Sequence, residues 1–245
     1  MRDVLDKDLG ARPVHHASAL AASLLAMLIG ASLAGCGGSD PGRGTASLHV
    51  EAFAVTSGTR DSTQIRVQVR EVDARGQIQA GATVRVRGKE QGEWTLDFVG
   101  FDWGPFTGGF HLLSGIDWQG GWHLEVEMGD EHWLEAYLEV PGFTKITQPV
   151  ANTAYRPDDR EPLQVRWEDE ERRRARDVRL KLDRNDYSVR LEGEVKRHEI
   201  PVSAFRRDGD ERVEVERSTE IDLAGGASGS FFRGSTRHSI GFRVE

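Results

Sequence analysis

Alternation of apolar and polar residues is the dominant pattern of the chain after its N-terminal region. In the segment 63–72, isoleucine or valine occupies positions 65, 67 and 69, and glutamine or arginine occupies the positions on either side of them. Successive side chains of a β-strand point to opposite faces, so this pattern predicts a strand with one buried face and one wet face. The same alternation recurs in the segments 83–87, 122–128, 133–140, 163–167, 178–182, 187–191, 213–215 and 240–244.

Short strands separated by turn residues are typical of antiparallel β-sandwiches. Turn signals such as Asp208-Gly209-Asp210 separate the alternating segments, and none of the chain after its N-terminal region keeps the 3.6-residue apolar period of a helix. A stretch punctuated by proline, from Pro141 to Pro162, divides these segments into two groups. We therefore predict an all-β chain of two tandem immunoglobulin-like antiparallel β-sandwiches, at residues 47–147 and 148–245.

An uncharged run rich in alanine and leucine extends from Ala19 to Gly35. The residues Leu33-Ala34-Gly35 end this run, and with Cys36 they resemble the lipobox of bacterial lipoproteins. The resemblance implies that residues 1–35 are a signal peptide and that Cys36, once acylated, becomes the first residue of the mature protein.

The residues that follow Cys36 add an expected destination. Gly37 stands where lipoproteins retained in the inner membrane carry aspartate, so the resemblance implies the outer membrane of a Gram-negative bacterium. Residues 36–46 are rich in glycine and contain a proline, which predicts a flexible tether. The membrane would be contacted through the acyl chains, each buried methylene of which contributes about 0.8 kcal/mol.

Composition excludes several classes of function. Cys36 is the single cysteine, which excludes an internal disulfide and a cysteine-ligated zinc site. The formal net charge is −8 at pH 7, so the chain has no electrostatic reason to bind nucleic acid. No hydrolase elbow, paired-carboxylate motif or phosphate-binding loop stands out, and we expect neither catalysis nor a cofactor.

Two short stretches resemble known sandwich modules. The segment from Ile146 to Glu168 resembles the start of a fibronectin type III domain, with an early proline and a tryptophan that ends its second strand. The segment from Asp73 to Gly88 resembles a hairpin of bacterial immunoglobulin-like surface domains. Both resemblances imply the β-sandwich fold.

Most of the tryptophans lie between Trp94 and Trp133. Trp94 and Trp122 share strand faces with apolar residues, which predicts core positions. Trp103 and Trp118 instead lie in glycine-rich segments outside the alternating pattern. We predict these two as the candidate ligand-binding residues, because indole faces stack on sugar rings.

The segment from Glu90 to Glu139 carries many acidic residues and no lysine or arginine. These acids fall mostly on the outward positions of the predicted strands, which favours a solvated negative face and no metal site. The alternative is a site formed by His123, Asp130 and His132, since carboxylates and imidazoles are ligands of divalent cations.

One further resemblance supports that alternative. The sequences GATVRV at Gly81 and GGWHLEVEM at residues 120–128 resemble strands of periplasmic YtkA-like domains linked to copper handling, which implies a periplasm-facing metal-binding lipoprotein. The favoured hypothesis is a non-catalytic, lipid-anchored cell-envelope protein with a binding or structural role. Loops or an edge strand would engage its protein or glycan partner.

Overall fold

The computed structural model describes residues 38–72, 76–90, 92–103, 106–157, 160–170 and 173–245. The predicted signal peptide and Cys36 lie outside the described residues. Within these ranges, no helix has the length and apolar character needed to cross a membrane.

The regular structure of the described residues consists of β-strands and two short 3-10 turns, at Arg60–Ser62 and Val202–Ala204. The strands before the middle of the chain are β1 (Asp40–Gly44), β2 (Leu48–Ser57), β3 (Thr63–Glu71), β4 (Thr83–Gly88), β5 (Glu93–Thr95), β6 (Asp97–Trp103), β7 (Phe106–Ile116), β8 (Gly121–Met128) and β9 (His132–Glu139). Those that follow are β10 (Thr144–Gln148), β11 (Ala154–Tyr155), β12 (Leu163–Asp169), β13 (Asp177–Leu182), β14 (Tyr187–Glu192), β15 (Arg197–Ile200), β16 (Gly209–Asp222) and β17 (Phe231–Val244).

The strands form three sheets. One has five strands in the order β1-β9-β8-β4-β5, and a small sheet has the order β10-β12-β15. The largest sheet has the order β14-β13-β16-β17-β2-β3-β7-β6, with β11 attached to β17. The pairing is antiparallel, except that β17 lies parallel to both β2 and β11. The predicted all-β class is confirmed.

The alternation in the sequence is the alternation of burial in the structure. On β3, Ile65, Val67 and Val69 are fully buried, while Gln64 and Arg66 are exposed. Every strand segment predicted from this pattern coincides with an observed strand.

The buried apolar residues form two clusters. Strands β2, β3, β4, β8 and β9 supply most of the first core, which includes Trp122. The second core comes mainly from β12, β13, β16 and β17 and includes Trp167. Along the chain, Phe143 is the last residue of the first cluster before Ile146 begins the second.

The last two strands belong to both cores. Strands β16 and β17 are each 14 residues long. Phe232, near the start of β17, packs in the first core, whereas Phe242, near its end, packs in the second. Because β17 pairs along its first half with β2, one sheet runs continuously past both cores. Gly38–Glu245 accordingly clusters as one compact unit.

Polar side chains fill the interior between the two cores. The Arg217 side chain on β16 is 1% exposed and forms an ion pair of 2.9 Å with Asp169 on β12. The hydroxyls of Thr144 and Thr236, both fully buried, share a hydrogen bond of 2.7 Å. We call these four residues the polar seam.

The flexible tether predicted for residues 36–46 is wrong over most of its length. Asp40–Gly44 is strand β1, which pairs with the edge strand β9. Ser39 is also held, because its Oγ accepts a hydrogen bond of 2.9 Å from the Glu139 amide. The glycines that suggested flexibility instead permit close packing: any side chain at Gly44 would overlap the carbonyl oxygen of Gly225.

Candidate functional site

The outward face of the five-stranded sheet carries an open depression of about 540 Å³. It is the candidate functional site, since it combines aromatic, basic and acidic side chains in one concave surface. Its lining consists of Asp40, Gly42, Arg43, Arg87, His123, Leu124, Glu125, Glu135, Ala136 and Tyr137.

Strand register brings these side chains together. His123 on β8 lies directly opposite Tyr137 on β9 and, across its other edge, opposite Arg87 on β4. Asp40 on β1 pairs with Tyr137 in turn. Residues opposite each other in an antiparallel sheet project to the same face, so a row of four residues crosses the sheet.

An aromatic pair forms the centre of that row. The rings of His123 and Tyr137 have centroids 4.6 Å apart and are tilted by 40°. The Tyr137 ring extends over Gly121, where a Cβ would overlap the phenol. Glycine at this position therefore leaves the space that the tyrosine ring occupies.

Charged groups surround the aromatic pair. The Arg43 guanidinium forms an ion pair with Glu135 and lies over the Trp133 ring, 5.8 Å from its centroid. Glu125 lies opposite Glu135 in the register, and its carboxylate is 3.8 Å from the Arg85 guanidinium. Both carboxylates at the rim thus face an arginine.

The two central side chains are uncharged near neutral pH. Burial lowers the pKa of His123, and the positive charge of Arg87 lowers it further, against the opposing effects of nearby carboxylates. Burial raises the pKa of Tyr137, as does the charge of Glu139, while Arg173 acts in the opposite direction. A neutral imidazole and a protonated phenol can each donate and accept hydrogen bonds.

This arrangement suits a neutral ligand rich in hydroxyl groups. Aromatic faces contact C–H groups, and guanidinium and carboxylate groups bind hydroxyls from the side. Asp40, Glu125 and Glu135 add carboxylates to the lining, and carboxylates accept hydrogen bonds from such hydroxyls.

The ligand-binding residues predicted from the sequence, Trp103 and Trp118, do not line this depression. Trp118 is wrong as an exposed ligand-binding residue, because it is 2% exposed and its Nε1 donates to the Pro141 carbonyl at 2.9 Å. Its ring packs against Trp122 in the first core, at 6.4 Å between centroids. Trp103 ends β6, opposite Phe106, and its side chain lies outside the described part of the structure.

The alternative metal ligands are not brought together. His123 lies near the start of β8, whereas His132 pairs with Met128 at the far end of the same hairpin. The His132 Nδ1 instead shares a hydrogen bond of 2.7 Å with Ser47 Oγ. In the described ranges, no group of three histidine, cysteine, aspartate or glutamate side chains could hold a metal ion. The proposed set His123, Asp130 and His132 is therefore wrong as a metal site.

Sequence reasoning missed Arg87, Tyr137 and Asp40. These residues are separated by up to about a hundred positions and meet only through the order and register of the strands. The available signal was that His123, Tyr137 and Arg87 all occupy outward positions of alternating segments. That signal is shared with many solvated side chains, so it could not single them out.

Comparisons with known proteins yield structural likenesses alone. No family model matches the sequence, and a search of the curated proteins finds no match. The fibronectin type III-like modules of Clostridium thermocellum CbhA are 11% identical, with 80% of this chain and 94% of that chain covered and a TM-score of 0.25. A two-domain fibronectin type III segment of chicken tenascin is 12% identical, covering 77% and 95%, with a TM-score of 0.24.

An immunoglobulin pair gives a similar result. The IG1 and IG2 domains of DIP-gamma are 10% identical, with 81% of this chain and 98% of that chain covered and a TM-score of 0.24. The fold assigned here rests on the strand pairing and cores of this chain.

Proposed function

We propose that this protein is a non-catalytic, lipid-anchored protein of the cell envelope that binds a glycan in the depression on its five-stranded sheet. The observation that carries the proposal is the His123–Tyr137 pair, flanked by arginine and carboxylate groups on the outward face of the five-stranded sheet. Sugar rings present an apolar face and a rim of hydroxyls, which matches an aromatic centre with polar groups around it.

The charged residues that line the depression favour a ligand without net charge. Arg43 and Glu135 already neutralise each other, and Asp40 lies on the same lining as Arg87. A strongly charged ligand would have to displace one of these charges. A neutral glycan needs no such exchange, so we favour it over an anionic polymer.

A glycan array with the full-length protein tests this binding. Tyr137→Ala removes half of the aromatic pair, and we expect roughly a tenfold or greater loss of affinity, about 1.4 kcal/mol or more. Tyr187→Ala is the matched control, because Tyr187 also contacts a histidine, His198, but lies outside the depression. Binding that survives Tyr137→Ala and is lost in Tyr187→Ala would place the ligand elsewhere.

A protein partner is the other outcome. In that case no glycan binds at all, and Tyr137→Ala would have no effect on the array. The non-catalytic assignment is checked separately, by incubating any bound glycan with the protein and measuring its chain length.

The anchor is a separate part of the proposal. Cys36→Ser removes the thiol that would be acylated, so we expect the variant to incorporate no labelled fatty acid and to keep its leader. Gly37→Asp is expected to move the protein from the outer to the inner membrane. If Cys36→Ser sediments with membranes and is processed as the wild-type protein is, the lipid anchor is refuted.

The anchored protein would lie close to the membrane surface. Gly37, Gly38 and Ser39 alone would separate an acylated Cys36 from strand β1. At a maximum of about 3.6 Å per residue, these three residues allow a reach of only about 11 to 14 Å. Asp40, which lines the depression, would then lie four positions after the acylated cysteine, and the glycan would be bound near the membrane.

A further inference from the structure

Strand β6 (Asp97–Trp103) is the outermost strand of the largest sheet. Within the described residues it pairs with β7 and with no other strand. Val99 and Phe101 project from the same face of β6 and are 41% and 44% exposed. The strand therefore offers free backbone groups beside exposed apolar side chains.

The other edge strands carry features that discourage pairing with a second chain. Strand β1 contains Pro41 and Arg43, β10 contains Lys145, β14 contains Arg190 and β15 contains Arg197. Strand β5 is only three residues long. Charged residues, above all lysine, as well as prolines and short length are the usual protections of sheet edges. Strand β6 is seven residues long and contains no lysine, arginine or proline, and its charged residues are Asp97 and Asp102.

Contacts with β7 hold β6 in place. On its inner face, the Phe98 ring packs against the buried His111 ring at 5.2 Å between centroids. On its outer face, the Phe101 ring covers Gly108, and Val99 lies opposite Phe110. Aromatic rings over cross-strand glycines order such a hairpin, so β6 is a regular strand before any partner arrives.

The outer face continues as a row of rings towards the middle of the sheet. The Arg66 guanidinium lies over Phe110 at 5.5 Å and over Phe53 at 5.0 Å. Phe53 in turn meets Phe231 edge to face, at 5.1 Å between centroids. The row runs from β17 across β2, β3 and β7, and it reaches the open edge at Val99 and Phe101.

We propose that β6 pairs in antiparallel fashion with β6 of a second copy of this chain, about a twofold axis at Gly100. This register pairs all seven residues of the strand. It places Val99 of each copy opposite Phe101 of the other, on the outer face. Such a contact is self-complementary, as a twofold interface requires.

Charge favours the same register. Centred on Gly100, Asp97 lies opposite Trp103 and Asp102 lies opposite Phe98, so no carboxylates face each other. A shift of one residue in one direction would place Asp97 opposite Asp102 twice, and like charges directly opposite each other destabilise a sheet. A shift of one residue in either direction would exchange the inner and outer faces of one copy. The pairing therefore joins the two large sheets into one continuous sheet.

Cross-linking of the full-length protein in detergent tests the register. In Gly100→Cys, the two cysteines lie directly opposite each other, with Cα atoms about 4.5 to 5.5 Å apart, within the range that a disulfide spans. We expect diamide to give a covalent dimer. Gly81→Cys is the matched control, because Gly81 is also exposed, has nothing within 4 Å of an added Cβ and lies outside every strand. Both variants retain Cys36.

A charge on the edge tests the pairing without a cysteine. Val99→Lys introduces the protection that β6 lacks, and we expect the sedimenting mass to fall to that of one chain. Val150→Lys, at an apolar residue that is 64% exposed away from β6, should keep the dimer.

Two results overturn the proposal. The first is a Gly100→Cys dimer yield no higher than that of Gly81→Cys. The second is a Gly100→Cys cross-link in cells to a different protein instead of to itself, which would make an extended segment of another chain the occupant. The dimer proposal and the glycan-binding proposal can fail independently of each other. Val99→Lys does not change Tyr137, and Tyr137→Ala does not change β6.

Discussion

Arg217 and Asp169 are the charged pair on which the polar seam depends. The side chain of Asp169 is 7% exposed and also forms an ion pair with Lys196, while Arg217 Nη2 donates to the Arg173 carbonyl at 3.0 Å. Burial alone would raise the pKa of Asp169. The hydrogen bond from Lys196 and the charge of Arg217 outweigh burial and hold that pKa below its ordinary value.

Removal of the negative charge of Asp169 should therefore lower the free energy of unfolding substantially. In Asp169→Asn, Arg217 stays buried without its counter-ion, and we expect the free energy of unfolding to fall by about 3 kcal/mol. Asp177→Asn is the control: Asp177 pairs with Arg190, which is largely exposed, so the loss should stay below about 1 kcal/mol. Urea denaturation measures both. Equal losses in the two variants would contradict a special role for the seam.

The pH dependence of this pair has a definite sign. Because the pKa of Asp169 is lowered in the folded protein, its contribution to stability is complete above the ordinary aspartate pKa of about 3.9. It is lost as the pH falls through the lower folded value. Stability of Asp169→Asn should thus converge with that of the wild type in strong acid.

His238 should titrate abnormally. Its Nδ1 accepts a hydrogen bond of 3.2 Å from the Ile146 amide. Burial lowers its pKa, and the charge of Lys145 lowers it further. The neutral form therefore persists below the usual histidine pKa of about 6.5, and stability falls as the pH drops below that value, because the unfolded chain binds the proton first. An NMR titration of the imidazole with a midpoint at or above 6.5 would contradict this prediction.

At the scale of elements, β1 is held by close contact between its backbone and that of the loop before β17. The amide of Ala224 donates to the Pro41 carbonyl, and that of Ala46 donates to the Gly225 carbonyl, both at 3.0 Å. A Cβ at Gly225 would overlap the backbone of Arg43 and Gly44. The loop before β17 can therefore hold β1 only if residue 225 is glycine.

Gly225→Ala should detach β1. We expect a loss of about 1 to 3 kcal/mol in the free energy of unfolding, as for other overpacked sites, and faster hydrogen exchange at Ala46. Gly81→Ala is the control, since nothing lies within 4 Å of an added Cβ there and the change should be nearly neutral. Unchanged exchange at Ala46 in Gly225→Ala would show that β1 is held by other contacts.

At the scale of the whole molecule, the two cores share strands. The first core includes Leu223 and Phe232 from the end of the chain, and β2 is paired with β17. We expect a fragment of residues 38–147 to remain unfolded, because it lacks those two residues and exposes one edge of β2. Circular dichroism and urea denaturation of the fragment, beside residues 38–245, measure this. A cooperative transition in the fragment would show that the first sandwich folds alone.

Much of the fold could be predicted because burial alternates with a period of two. The pattern gives no strand partners, however, so the parallel pairing of β17 with β2 could not be inferred. At residues 40–46 the glycine content suggested a flexible tether where the structure has strand β1. Glycine occurs both in flexible segments and where two backbones pack closely, so its presence does not distinguish the two. The prediction of Trp118 as a ligand-binding residue failed for the same reason. Its glycine-rich surroundings suggested a loop, but its ring is buried in the first core.

The sequence by itself determined which segments are strands and which face of each strand is apolar, since these properties depend on neighbouring residues. Local spacing also determined the lipobox resemblance at Cys36. The tertiary structure alone decided that Asp40, Arg87, His123 and Tyr137 meet in one depression and that β6 is the last strand of the largest sheet. Both depend on the order and register of strands far apart in the chain. Contacts over the whole core select that order, and no local pattern encodes it.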